Sequence, residues 1–168
     1  MAILELIEKV TSVAAAEDTV TLPYELRQKG RQRVRLDSGR EAALVLPHGT
    51  VLDDGDCLRA ADGTAVCVRA ATEVVMTARS DDAHRLARAC YHLGNRHVRV
   101  QLGPGWVRYQ PDHVLDELVH GLGLAVTQEV ARFEPERGAY HSHTGNHRRD
   151  AAHQSGADTP LKSPERRS

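Results

Sequence analysis

Turn signals cut the first half of the chain at intervals too short for a long helix. Leu22-Pro23, Lys29-Gly30, Asp37-Ser38-Gly39, Pro47-His48-Gly49, Asp53-Asp54-Gly55 and Ala61-Asp62-Gly63 lie between Thr19 and about Ala71. Breakers roughly every 8 to 10 residues leave room for short strands and favour a small β-rich domain. Val34-Arg35-Leu36, Glu41 to Leu46 and Ala65-Val66-Cys67-Val68 are its clearest strands. The runs containing Cys57 and Cys67 flank Asp62-Gly63 and predict a hairpin, in which the thiols act first as small apolar side chains.

At Glu73 the pattern changes. Val74-Val75-Met76-Thr77-Ala78 reads as a strand, and Ser80-Asp81-Asp82 as a helix start, with carboxylates at the positive end of the dipole. Ala83, Leu86, Ala87, Cys90 and Leu93 recur at helical spacing, and Gly94 or Asn95 ends the run after about thirteen residues. Val98, Val100 and Leu102 then alternate with His97, Arg99 and Gln101 up to the Gly103-Pro104-Gly105 turn, and Trp106 to Tyr109 supplies a return strand. A second helix starts near Pro111-Asp112, buries Val114, Leu115, Leu118 and Leu122, and stops around Gly121 to Gly123; Leu124 to Phe133 is the last strand. Strand, helix, strand, strand, helix, strand is the ferredoxin-like split βαβ order. The expected class is therefore α+β: a β-rich domain over residues 1–72, a ferredoxin-like domain over 73–140, and a tail over 141–168. In the tail only Ala151, Ala152, Ala157 and Leu161 are apolar, too few to offset the entropy of ordering, so it is expected to be flexible.

Histidine is the composition's anomaly. Ten occur among 168 residues, and nine of them lie at or after His84. A net charge of −1 removes the broad attraction to phosphates or anionic lipid, so nucleic acid and membrane surfaces are not expected partners. Acidic residues break the apolar run Met1 to Lys9 before it reaches the length of a signal segment, and nothing approaches the roughly 20 apolar residues of a membrane span. Cys57, Cys67 and Cys90 contain no Cys-x-x-Cys pair, which fits a cytoplasmic protein with reduced thiols.

Neutral imidazole suits nickel, copper, zinc and iron. Which rings can converge is the question. His84 and His92 lie on the polar side of the first helix, where a solvated histidine is the simpler reading. His97 opens the strand whose alternate residues face the helices, so it is expected on the sheet's open face. His113 stands at the mouth of the second helix, where a ligand from another element can meet it. His120 is two turns further on, roughly 10 Å away, too far to share one ion with it directly. His141 and His143 form the densest pair of the tail. His-Glu-x-x-His, Gly-x-Ser-x-Gly and a Walker phosphate loop are all absent from the sequence, and no motif unites a nucleophile, a base and an orienting group.

Three segments, taken together, resemble the urease accessory protein UreE family of nickel metallochaperones. They are His92-Leu93-Gly94-Asn95-Arg96-His97 with Val100-Gln101, Asp112-His113-Val114-Leu115-Asp116 with Leu122-Gly123, and Phe133-Glu134-Pro135-Glu136-Arg137-Gly138-Ala139-Tyr140. The resemblance implies a partner-binding N-terminal domain and a ferredoxin-like metal-binding domain that dimerises. It also implies that the histidine of Gly-Asn-Arg-His, here His97, comes from both subunits to one interfacial nickel ion. His113 matches a further metal position of some relatives, whose companion two residues earlier is Pro111 here. Family tails often carry histidine runs; the scattered histidines of this tail imply one extra ligand or weak capture, from His141 or His143.

The implied function is a nickel-binding metallochaperone, not an enzyme. It would deliver Ni(II) for urease assembly by ligand exchange, through the accessory GTPase UreG. Zinc or copper would occupy the same imidazoles in vitro, and protons would compete as pH falls through about 6 to 7. The alternatives are a protein-binding adaptor without tight metal binding, or a small metal-dependent hydrolase using His113 or Glu117.

Overall fold

The computed structural model describes residues 3–137 except Ser12 and Ala14, so the expected tail, with His141 and His143, lies outside the described residues. The short runs of the first half become β1 (Leu4–Val10), β2 (Asp18–Leu22), the four-residue helix α1 (Tyr24–Arg27), β3 (Arg31–Arg35), β4 (Glu41–Val45), β5 (Cys57–Ala60) and β6 (Ala65–Ala70). The six strands form one sheet in the order β2-β6-β5-β1-β4-β3. The broken apolar run near the N-terminus is its central strand β1. Leu4 and Leu6 are buried while Glu5 and Ile7 are exposed, so the acidic residue that interrupts the run belongs to the outward half of the alternation. Leu6, Leu44, Leu58, Val66 and Val68 join one core, each such side chain contributing about 1.5–3 kcal/mol by leaving water.

The second half is β7 (Thr72–Arg79), α2 (Ala83–Asn95), β8 (Gln101–Gly103), β9 (Trp106–Tyr109), α3 (His113–Gly121) and β10 (Ala125–Arg132). Its sheet order is β10-β7-β9-β8 with antiparallel neighbours, the ferredoxin-like arrangement. The chain is α+β. Asp82 and Asp112 cap the two helices, each carboxylate accepting from two backbone N–H groups of the first turn. Ala89 and Leu93 are buried with Leu86 and Cys90 beside them, whereas Ala83 and Ala87 are exposed; the stripe is centred one position away from where the alanines placed it. On α3, Leu115 and Val119 are buried and Leu118 and Leu122 pack beside them, but Val114 is 41% exposed on the flank.

The sheet face away from the helices carries a polar network. Arg108 donates to Thr77 Oγ1 at 3.1 Å and to Glu129 at 3.2 Å, and Arg79 pairs with Glu129 at 2.7 Å. Arg108 also stacks on Trp106, 4.6 Å from the ring centre, and a Cβ on Gly103 would sit 2.1 Å from the same indole, so only glycine fits under it.

Arg27 joins the two halves. It is 1% exposed, donates to Leu52 O at 3.2 Å and also to Phe133 O, and its guanidinium lies over Tyr24. Tyr24 meets Phe133 edge-on at 5.3 Å, with Val75 completing the cluster. Asp54–Arg132 and Asp53–Arg137 ion pairs lie alongside, and Tyr24 N–H donates to Glu73 at 2.8 Å.

Candidate metal centre

The sequence Leu93-Gly94-Asn95-Arg96-His97-Val98 ends α2 rather than opening a strand; β8 starts only at Gln101. His97 N–H donates to Gly94 O at 2.9 Å and Val98 N–H to Leu93 O at 3.2 Å. These two bonds define a Schellman motif with Arg96 as cap residue. The position after the cap needs a left-handed backbone, and His97 supplies it with φ 57°, alone among the described non-glycine residues. An L side chain there costs about 1 kcal/mol relative to glycine. Val98 turns back to pack with Leu93 in the helix–sheet core, and His97, between these anchors, is exposed.

Val98 and Val100 therefore face the core as expected, but for a different reason: Val98 closes a helix end. Leu102, expected to face the helices with them, is 46% exposed at the margin of the short edge strand β8.

Beyond β10 the chain doubles back along this segment. Glu136 N–H donates to Val100 O at 2.7 Å and Glu134 N–H to the Gln101 side chain at 3.2 Å. An open recess of about 300 Å³ results, lined by His97, Val98, Arg99, Val100, Glu136 and Arg137. Arg99, Glu136 and Arg137 also line a smaller recess of about 100 Å³ that reaches Tyr24 and Arg27 at the junction of the two sheets. Of the charged groups around His97, Glu136 and Arg137 belong to the Phe133–Tyr140 segment of the resemblance, but nothing in the sequence places them beside His97. Their presence follows from the doubling-back of residues 134–137, which strand periodicity does not report.

His113 is the first residue of α3, directly after its Asp112 cap, and is exposed. Asp116, half-buried on α3, accepts from the buried Tyr109 hydroxyl at 2.8 Å; burial, reinforced by Asp116, holds that phenol well above its ordinary range. His92 is half-buried and meets Tyr91 edge-on at 5.3 Å, while His48, His84 and His120 are exposed. Among the described residues of one chain, no three His, Cys, Asp or Glu residues converge on a common point. A lone exposed imidazole is one donor. The other potential donor that lines the same recess is the Glu136 carboxylate.

Models of the N- and C-terminal domains of the UreE urease accessory protein match residues 3–71 and 73–158. Together with the fold, they define the class: a two-domain urease accessory protein of chaperone type, not an enzyme. A urease accessory protein UreE of Alkalilimnicola ehrlichii is 57% identical over 137 residues, covering 82% of this chain and 84% of that protein. Those of Marinobacter nauticus and Vibrio parahaemolyticus are 47% and 55% identical, covering 83% and 72% of this chain and 87% and 76% of theirs. The chain belongs to the UreE urease accessory protein family, which serves urease maturation. No helix among the described residues is long and apolar enough to cross a membrane.

Proposed function

We propose that this chain is a cytoplasmic nickel metallochaperone in which two copies pair about a twofold axis, so that both His97 rings ligate one Ni(II) ion. One observation carries the reading: an exposed imidazole occupies a strained left-handed position where glycine would be more stable. Strain retained at an exposed side chain points to a role outside the fold, and twofold pairing supplies a second imidazole. Residues 73–140 are the metal-binding and dimerisation domain in this account, and residues 1–72 the partner-binding domain.

His141 or His143 adds one further ligand to the ion. Arg137 lines the His97 recess, and the four residues from Arg137 to His141 reach at most about 14 Å. His113, exposed on α3, is an accessory ligand. A site of two fixed imidazoles and a tail-borne ligand is open, so a ligand from the accessory GTPase UreG attaches before the old ones leave, and nickel passes by exchange toward urease. Zinc and copper enter the same site in vitro, with copper favoured over nickel by the Irving–Williams order.

Native mass spectrometry of nickel-loaded protein tests the proposal. The account predicts one tightly held nickel per dimer, and loss of a ligand on truncation after Tyr140, read as weaker nickel retention. Nickel bound independently to single chains would contradict it.

A further inference from the structure

Cys57 and Cys67 are direct cross-strand partners on β5 and β6. Ladder hydrogen bonds fix which kind of site they occupy: Val68 N–H donates to Asp56 O at 2.8 Å, and Ala60 N–H to Thr64 O at 2.9 Å. Antiparallel pairs alternate between hydrogen-bonded and non-hydrogen-bonded sites, so counting inward from either bond places Cys57 and Cys67 at a non-hydrogen-bonded site. There the Cα atoms approach to about 4.5 Å, inside the range a disulfide spans. The sulfurs are 3.6 Å apart. Leu58, Val66 and Val68 point into the core, so the two cysteines stand on the opposite face of the sheet, each half-buried. Cys90 packs against the core of the other sheet.

We propose that Cys57 and Cys67 form a redox-modifiable dithiol that closes to a cross-strand disulfide by exchange with a low-molecular-weight disulfide such as oxidised glutathione. The thiolate of one cysteine attacks a sulfur of the small disulfide, giving a mixed disulfide and releasing one small thiol. The thiolate of the other cysteine then attacks the protein sulfur of that mixed disulfide, forming the Cys57–Cys67 bond and releasing the second small thiol. The protein loses two protons and two electrons, all gained by the small disulfide as it becomes two thiols. The strands are already in register, and the sulfurs need close only from contact distance to about 2.05 Å.

The bond would anchor a segment that holds the two halves of the molecule together. Leu52 to Asp56 leads directly into Cys57, and Leu52 O accepts from Arg27, Asp53 pairs with Arg137, and Asp54 pairs with Arg132. Asp54 also accepts from Ala70 N–H on β6 at 2.8 Å. A disulfide to β6 ties the far end of the segment to the same strand. Burial, together with the neighbouring Cys67, holds the Cys57 thiol above its ordinary range, so exchange is slow near neutrality and accelerates as pH rises.

The test incubates the full-length protein with oxidised glutathione at mildly alkaline pH, then counts and maps free thiols after denaturation. The expected result is a fall from three free thiols to Cys90 alone, a mass loss of two hydrogens, and recovery of all three with dithiothreitol. Cys57→Ser and Cys67→Ser should each stop at a protein–glutathione mixed disulfide. Retention of three thiols by the wild type overturns the proposal, as does a wild type that stops at the mixed disulfide or forms a bond involving Cys90 or a second chain. The wild-type result decides even where a variant fails to fold.

Discussion

His97 and Gly123 occupy the same position at the ends of the two helices that pack on the C-terminal sheet. Each follows a helix cap with a left-handed backbone, φ 57° for His97 and 83° for Gly123. His97 N–H donates to Gly94 O at 2.9 Å, and Gly123 N–H to His120 O at 2.8 Å; the next residues, Val98 and Leu124, reach back to Leu93 O and Val119 O. The same backbone turn is thus built twice, once with the residue it favours and once with an imidazole that faces outward.

Replacing His97 with glycine should therefore stabilise the apo-protein. Relief of the left-handed strain is worth about 1 kcal/mol, which for a chain of this size raises the midpoint by about 2–4 °C in differential scanning calorimetry. His97→Ala keeps a Cβ at positive φ and should show no such gain.

Arg27→Ala should be among the most damaging substitutions. It leaves Leu52 O and Phe133 O without their donor and removes the stem packed on Tyr24, for an expected loss of about 2–4 kcal/mol in urea denaturation. Because the bond to Phe133 crosses between the two halves, the urea transition should also lose cooperativity.

Glu129→Gln should lower stability at neutral pH by about 1 kcal/mol or less, since the pairs it makes are partly solvated. Arg79 first, then Thr77 and Arg108, hold the Glu129 carboxyl below its ordinary value of 4.5. A depressed folded value means that the contribution is fully present above the unfolded value and is lost as pH falls through the folded one. The gap between wild type and variant should close on acidification, as followed by thermal melts across a pH series.

Asp112→Ala removes the cap from the helix that presents His113, and should cost about 1 kcal/mol, with Asp112→Asn retaining most of it. Circular dichroism melts of the three proteins give the comparison.

What the sequence makes legible is what depends on near neighbours. Asp82 and Asp112 announce their helices because a cap bonds two or three residues away, and the Cys57–Cys67 hairpin follows from one Asp-Gly turn. The segment after α2 reads as a longer strand than it is because a residue that closes a helix end on its own core is apolar, as an inward strand residue is. Val98 and Val100 satisfy both patterns, and the hairpin pairing with β9, whose first partners are Gln101 and Arg108, decides that β8 begins at Gln101. Arg27 looks like a surface residue in Tyr24-Glu25-Leu26-Arg27. Its burial depends on Phe133, 106 positions away, which no local pattern encodes. His97 is identifiable as a candidate through its family motif, whereas its left-handed backbone has no sequence signature of the kind that Gly123 carries.

The most direct test of the central claim is a calorimetric nickel titration of the wild type and His97→Gly at neutral pH, with dimerisation of both checked by sedimentation. The account predicts one tight nickel per two chains in the wild type, and loss of that site in a His97→Gly protein that is at least as stable to heat. A folded, dimeric His97→Gly protein that keeps the tight site would contradict it.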